Sequence, residues 1–156
     1  MLEKLTKHAR LTLSDAGIEA QLLAAQEVLP EHLLLAFTRE ETERNLSAHY
    51  LPKPLAAVVL ERLGISLALM RAELLQSLCP DGHNEGTQVS LSPAFNALIQ
   101  AALQEAHELG GRYIGSEHLL LALLRNDASA SAQTLTRFGV TWENAHNEIE
   151  RMHEGG

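Results

Sequence analysis

Aromatic side chains make up only 4% of the 156 residues, and strand-favouring residues are few beside Leu and Ala. Since 46% of the chain is hydrophobic, there is apolar mass for a core, which argues against wholesale disorder. That mass comes from strong helix formers, so an all-α protein is expected. Cysteine is nearly missing as well, and the lone Cys79 cannot close an internal disulfide. Basic residues are in deficit, with 12 Lys and Arg against 20 Asp and Glu for a net charge of -8. No stretch is rich in basic side chains, so nucleic acid and anionic membrane are poor partners. The deficit is uneven: residues 1–78 hold 8 basic and 10 acidic side chains, a balance of -2, whereas 79–156 hold 4 and 10, a balance of -6. No run reaches the roughly 18 apolar residues that span a bilayer. The opening MLEKLTKHAR carries charges where a secretory signal needs an apolar run, so the chain reads as soluble and cytoplasmic. A phosphate-cradling Gly-x-x-x-x-Gly-Lys-Ser/Thr loop is also missing, and the length is too short for a nucleotide-driven motor.

What is present is a repeat. Glu31-His32-Leu33-Leu34-Leu35-Ala36 recurs as Glu117-His118-Leu119-Leu120-Leu121-Ala122, an offset of 86 positions. Leu60-Glu61-Arg62-Leu63-Gly64-Ile65-Ser66 pairs with Leu135-Thr136-Arg137-Phe138-Gly139-Val140-Thr141 at an offset of 75. The order of the blocks is kept, so the first copy holds about 11 extra residues between them. These are expected within Thr38 to Pro54, a polar stretch ending in two prolines and suited to an exposed loop.

Each copy reads as four helices. In the second, Ser92 and Pro93 open a helix whose Phe95, Leu98, Ile99, Ala102, Leu103 and Ala106 follow at helical spacing up to Gly110-Gly111. Ser116 is expected to cap the next helix, and Leu119 to Leu124 is apolar nearly all round, which requires burial on several sides. A third helix spans about Ser129 to Phe138 and stops at Gly139, with Thr141 capping a fourth. The first copy follows the same plan: a long helix from Leu2 to about Glu27, a short one from Glu31, one from Leu55 to Leu63 and one from Ser66 to Leu78. The expected organisation is therefore two tandem pseudo-repeats of four helices, 1–78 and 90–156, joined by a Gly-, Asp- and Pro-bearing linker at 79–89 and packed as one module.

Tyr113-Ile114-Gly115-Ser116-Glu117-His118-Leu119-Leu120-Leu121-Ala122-Leu123-Leu124, followed by Leu135-x-x-Phe138-Gly139-Val140, resembles the Clp N-terminal repeat. That repeat occurs in pairs at the front of AAA+ unfoldases such as ClpA, ClpB and ClpC. Leu5-Thr6-x-x-Ala9 and Ile149-Glu150-Arg151-Met152 are similar to ClpB-type N-domains. The resemblance implies a double-repeat helical fold, no catalysis, no cofactor, and docking of unfolded proteins, peptides or adaptors for a Clp ATPase or protease. An alternative is a free-standing regulator that sequesters peptides or small ligands of that machinery. The first copy departs from the pattern: Glu27-Val28-Leu29-Pro30 replaces the aromatic-Ile-Gly-Ser/Thr lead-in, and Pro30 has no hydroxyl with which to cap.

Three binding residues follow from the resemblance: Thr6, Glu31 and Glu117. In ClpC-type members the matching glutamate lies in a pocket for phosphorylated arginine, and a carboxylate can grip a guanidinium through two charge-assisted hydrogen bonds. A carboxylate in a first helical turn is equally explained by the helix dipole, worth roughly 0.3–1 kcal/mol. With Arg112 the only basic residue near the second site, general protein docking is the better reading. Thr6 matches a threonine that affects substrate handling, or is a hydroxyl on a solvated helix face. His32 and His118 lack a metal-binding pattern and read as packed or hydrogen-bonded helix residues. Cys79 and His83 have no third partner and read as bystanders. A groove between the copies is the expected general binding surface, provided some of Leu11, Leu13, Ile18 or Phe37 is exposed there.

Overall fold

The computed structural model describes residues 2–39, 53–78, 90–126 and 128–154. The expected linker at 79–89 and most of the expected loop, 40–52, lie outside these. Eight α-helices are described: α1 Lys7–Leu22, α2 Pro30–Phe37, α3 Leu55–Arg62, α4 Leu67–Ser77, α5 Pro93–Glu108, α6 Ser116–Arg125, α7 Ala130–Arg137 and α8 Trp142–Glu154. A 3-10 turn, Leu2–Lys4, precedes α1, and the short strands β1 Glu27–Val28 and β2 Ser90–Leu91 pair in parallel. Among the described residues no helix is long and apolar enough to cross a membrane.

The repeat governs the helices residue by residue. The 16 positions of α1 and of α5 match at the offset of 86, as do the first residues of α2 and α6. α3 and α7, of 8 residues each, match at the offset of 75, as do the starts of α4 and α8. The first helix is shorter than the expected Leu2 to Glu27, because Thr6 caps it: its Oγ1 accepts the Ala9 N–H at 3.0 Å. Ser92 does the same for α5, accepting from Phe95 at 3.1 Å. At the far end α1 stops at a left-handed turn on Ala24 (φ 56°), and α5 at one on Gly110 (φ 82°). Gly64 and Gly139 close α3 and α7 in the same way.

The copies interlock. Leu5 bridges to Ile114, with the Thr6 N–H donating to the Ile114 carbonyl (3.0 Å) and the Ile114 N–H to the Lys4 carbonyl (2.8 Å). The counterpart joint pairs Val28 with Leu91, and there Ser92 N–H donates to the Val28 carbonyl at 3.1 Å. Thus the lead-in to the first helix of each copy is paired with the lead-in to the second helix of the other. Two ion pairs repeat the exchange: Arg62 of α3 to Glu148 of α8 (3.5 Å), and Arg137 of α7 to Glu73 of α4 (2.9 Å). Helices α2 and α6 form the centre, with Leu33 to Phe37 and Leu119 to Leu123 buried in one apolar cluster that runs through both copies.

Two expectations are corrected. Ser116 does not cap α6; Gly115 is the N-cap residue and Ser116 the first helical one. The ends of the expected exposed loop are buried, since Thr38, Arg39 and Pro54 are all inside. The Thr38 hydroxyl donates to the Leu35 carbonyl at 2.8 Å, and Arg39 pairs with the buried Glu19 at 3.3 Å.

Candidate functional site

The shared Glu-His dipeptide sits at the second and third positions of α2 and α6. In both copies the histidine caps the helix: Leu29 N–H donates to His32 Nδ1 at 2.8 Å, and Gly115 N–H to His118 Nδ1 at 2.9 Å. The histidine amide in turn donates to the carbonyl of the same N-cap residue (2.9 and 3.1 Å). The imidazole thus takes the part that Glu or Gln plays in a capping box, while the N-cap residue answers with its backbone carbonyl in place of a side chain. A ring nitrogen that accepts carries no proton, so both rings hold theirs on Nε2. Burial pulls the His118 pKa below its ordinary 6.5, Glu117 opposes this, His153 adds to the lowering and Glu105 opposes it.

The two glutamates have diverged. Glu117 folds back over Gly115, where a Cβ would collide with its Oε1, and becomes buried with that oxygen unpartnered. Its Oε2 lies 3.8 Å from His153 Nε2. The position matching Gly115 is Leu29, which carries a Cβ where Gly115 has none. Glu31 turns outward, is half-buried, and accepts from the Ser131 hydroxyl at 3.2 Å.

Glu31 therefore lines a groove of about 530 Å³. Leu29, Pro30 and Glu31 of the first copy form one wall. Ala94, Ala97, Leu98 and Ala101 of α5, Ala122 and Leu123 of α6, and the start of α7 complete it, with Arg125 at the rim. The positions of α1 that match the α5 floor are His8, Leu11, Thr12 and Asp15. Three alanines thus open the space in one copy where His8, Leu11 and Asp15 stand in the other. Arg125 is held at the rim by Glu105 and Glu108, the latter at 3.1 Å, and its guanidinium stacks 4.1 Å from the ring centre of Trp142. The Trp142 N–H also donates to Glu105, at 3.2 Å.

An inter-copy groove is present, but none of the four expected residues lines it: Phe37 is buried, Leu11 and Leu13 are half-buried, and Ile18 is exposed elsewhere on α1. Its alanine floor was hidden by the more hydrophobic Phe95, Ile99 and Leu103. The signal was available as Ala94, Ala97 and Ala101, which share one face of the helix at helical spacing. Thr6 and Glu117 meet at one joint, through the pairing of Thr6 with Ile114, and Glu31 stands at the other, so the three do not converge. The Thr6 hydroxyl is a cap rather than a group on a solvated face. Among the described residues no cluster of three or more His, Cys, Asp or Glu could hold a metal ion.

Comparison with known proteins matches this geometry to a family. The chain is 31% identical over 152 residues to a chloroplastic ClpA homologue, an ATP-binding subunit of Clp protease from Brassica napus; 97% of the chain is aligned, covering 16% of that protein. The chain thus spans about a sixth of the length of such relatives. The N-domain of ClpV from Vibrio cholerae superposes with a TM-score of 0.74 at 20% identity, covering 95% of this chain and 84% of that one. A ClpV N-domain solved in complex with a VipB peptide superposes with a TM-score of 0.68 at 22% identity, covering 92% and 82%. The family model described as the Clp repeat N-terminal domain matches residues 4–138 and again 90–154, and the chain belongs to that family.

Proposed function

We propose that this chain is a non-catalytic protein-binding module that docks apolar segments of unfolded substrates or adaptors for a Clp-type AAA+ unfoldase or protease in the cytoplasm. The observation that carries the reading is the groove of about 530 Å³ between the copies, apolar on its floor and with Glu31 and Arg125 at its edges. A space of that size takes a few apolar side chains, and its polar groups are placed to orient what enters. The ClpV N-domain bound to a VipB peptide shows that this fold can hold a peptide. Glu31 contributes a carboxylate on the groove itself, whereas Glu117 and Thr6 belong to the opposite joint.

Titration of a permanently unfolded model protein against the wild type and Ala97→Phe tests this. Ala97 is exposed on the groove floor, so the larger ring fills the space without disturbing the core. The expected result is a loss of affinity of about tenfold, the equivalent of ~1.4 kcal/mol of contact. Equal affinity of Ala97→Phe and wild type would sink the groove as the docking site.

A further inference from the structure

His118 stands where a helix cap, an inter-copy bond and a buried polar cluster meet. Its Nδ1 accepts the Gly115 N–H at 2.9 Å and closes the turn into α6. Within that turn Ser116 Oγ accepts the Ala56 N–H at 3.0 Å, so the first residue of α6 caps α3 of the other copy. Three charged groups act on the ring: Glu117 of α6 and Glu105 of α5, each buried with one carboxylate oxygen lacking a partner, and His153 of α8, which approaches the other Glu117 oxygen at 3.8 Å. The other Glu105 oxygen is held by Arg125 of α6 and by the Trp142 N–H, and ion pairs of the remaining helices against α6 lead elsewhere: Arg62 of α3 to Glu148, Arg137 of α7 to Glu73, and Glu19 of α1 to Arg71.

We propose that His118 is an acid-sensitive latch on the joint between the two copies. Neutral, it holds the turn that presents Ser116 to Ala56. Protonated, its Nδ1 donates instead of accepting, the Gly115 bond is lost, and the start of α6 releases α3. The charge gained on protonation is offset in part by the buried carboxylates of Glu117 and Glu105, so the joint opens without leaving an isolated buried cation. The sign follows from burial, which holds the His118 pKa below 6.5. The stabilisation is complete above that ordinary value and is lost as pH falls through the lower folded one. The latch is one-sided: His32 makes the same cap at 2.8 Å, but the residue matching Ser116 is Pro30, which has no hydroxyl to offer α7.

Amide hydrogen exchange of the whole chain, read by NMR as protection factors between about pH 7.5 and 5 alongside the His118 ring shifts, tests the latch. Protection at Gly115 and Ala56 is expected to fall roughly tenfold as the ring titrates, the scale of one lost hydrogen bond, while Ile99 in mid-α5 is unchanged. His118→Gln keeps an acceptor of the kind used in capping boxes but does not titrate, and is expected to abolish the fall. Flat protection through the wild-type titration overturns the proposal, as does an equal fall in His118→Gln. Should that variant not fold, the wild type decides alone: coincident midpoints for ring and amides support the latch, and separate midpoints overturn it.

Discussion

Ala24 illustrates what a single side chain can cost in this fold. It occupies the left-handed turn after α1 at φ 56°, where the second copy has Gly110 at φ 82°. A Cβ in that region is unfavourable by roughly 1–2 kcal/mol, and glycine returns part of the gain through its freer unfolded state, about 0.4–1 kcal/mol. Ala24→Gly is therefore expected to stabilise the protein by about 0.5–1 kcal/mol, read as a higher urea midpoint with unchanged slope; a lower midpoint would refute the strain. Gly110-Gly111 announced its turn in the sequence, whereas Ala24 did so only through the repeat. Gly115 is a different case. Its φ of -98° is open to any residue, and what it provides is space for the Glu117 carboxylate. That role depends on a side-chain conformation and could not be read from composition.

At the scale of elements, caps were the most legible features and also the source of the clearest misreading. Ser92, Ser129, Ser66 and Thr141 all accept the amide three residues on, as their spacing indicates. Ser116 has the same residue type before the same apolar run, yet its hydroxyl serves another helix, because α6 begins one residue earlier and the amide three residues on, that of Leu119, already donates to the Gly115 carbonyl at 3.3 Å. Local rules pair a hydroxyl with the nearest free N–H and cannot see one that is 60 residues away in the chain. Ser116→Ala is expected to destabilise the protein by about 1 kcal/mol, the usual worth of a cap. Its largest amide shift changes should fall at Leu55 to Val58 of α3. Changes confined to α6 would show that the inter-copy bond carries no weight.

For the whole molecule, the two copies share one apolar cluster, exchange their lead-in segments, and cross-pair Arg62 with Glu148 and Arg137 with Glu73. The central helix of each copy is covered on several sides, α6 by α3 and α1 of the first copy as well as by its own neighbours. A fragment of residues 90–154 would leave the first copy's share of that cover open to water and lose the Ile114 and Leu91 pairings. It is expected to lack a cooperative thermal transition by circular dichroism. A sharp, two-state melt of the fragment would mean that each copy is a domain in its own right. The same scale explains the groove: the elements repeat, but Ala94, Ala97 and Ala101 stand at positions that the other copy fills with His8, Leu11 and Asp15, so the double fold is asymmetric at its surface.

The sequence alone determined the helical class, the repeat with its two offsets, most helix ends, and the absence of a nucleotide-binding loop. The class, the helix ends and the loop depend on residue type and spacing within a few turns of chain, and the repeat on the likeness of one stretch of sequence to another. Only the tertiary structure decided that the copies exchange their lead-ins, that Ser116 caps across the joint, that Glu31 opens onto a groove while Glu117 is closed in beside His118, and that alanines form the groove's floor. Those outcomes depend on which surfaces meet and on how much room one Cβ leaves. Two matched positions in a repeat carry the same local instructions and still end in different surroundings.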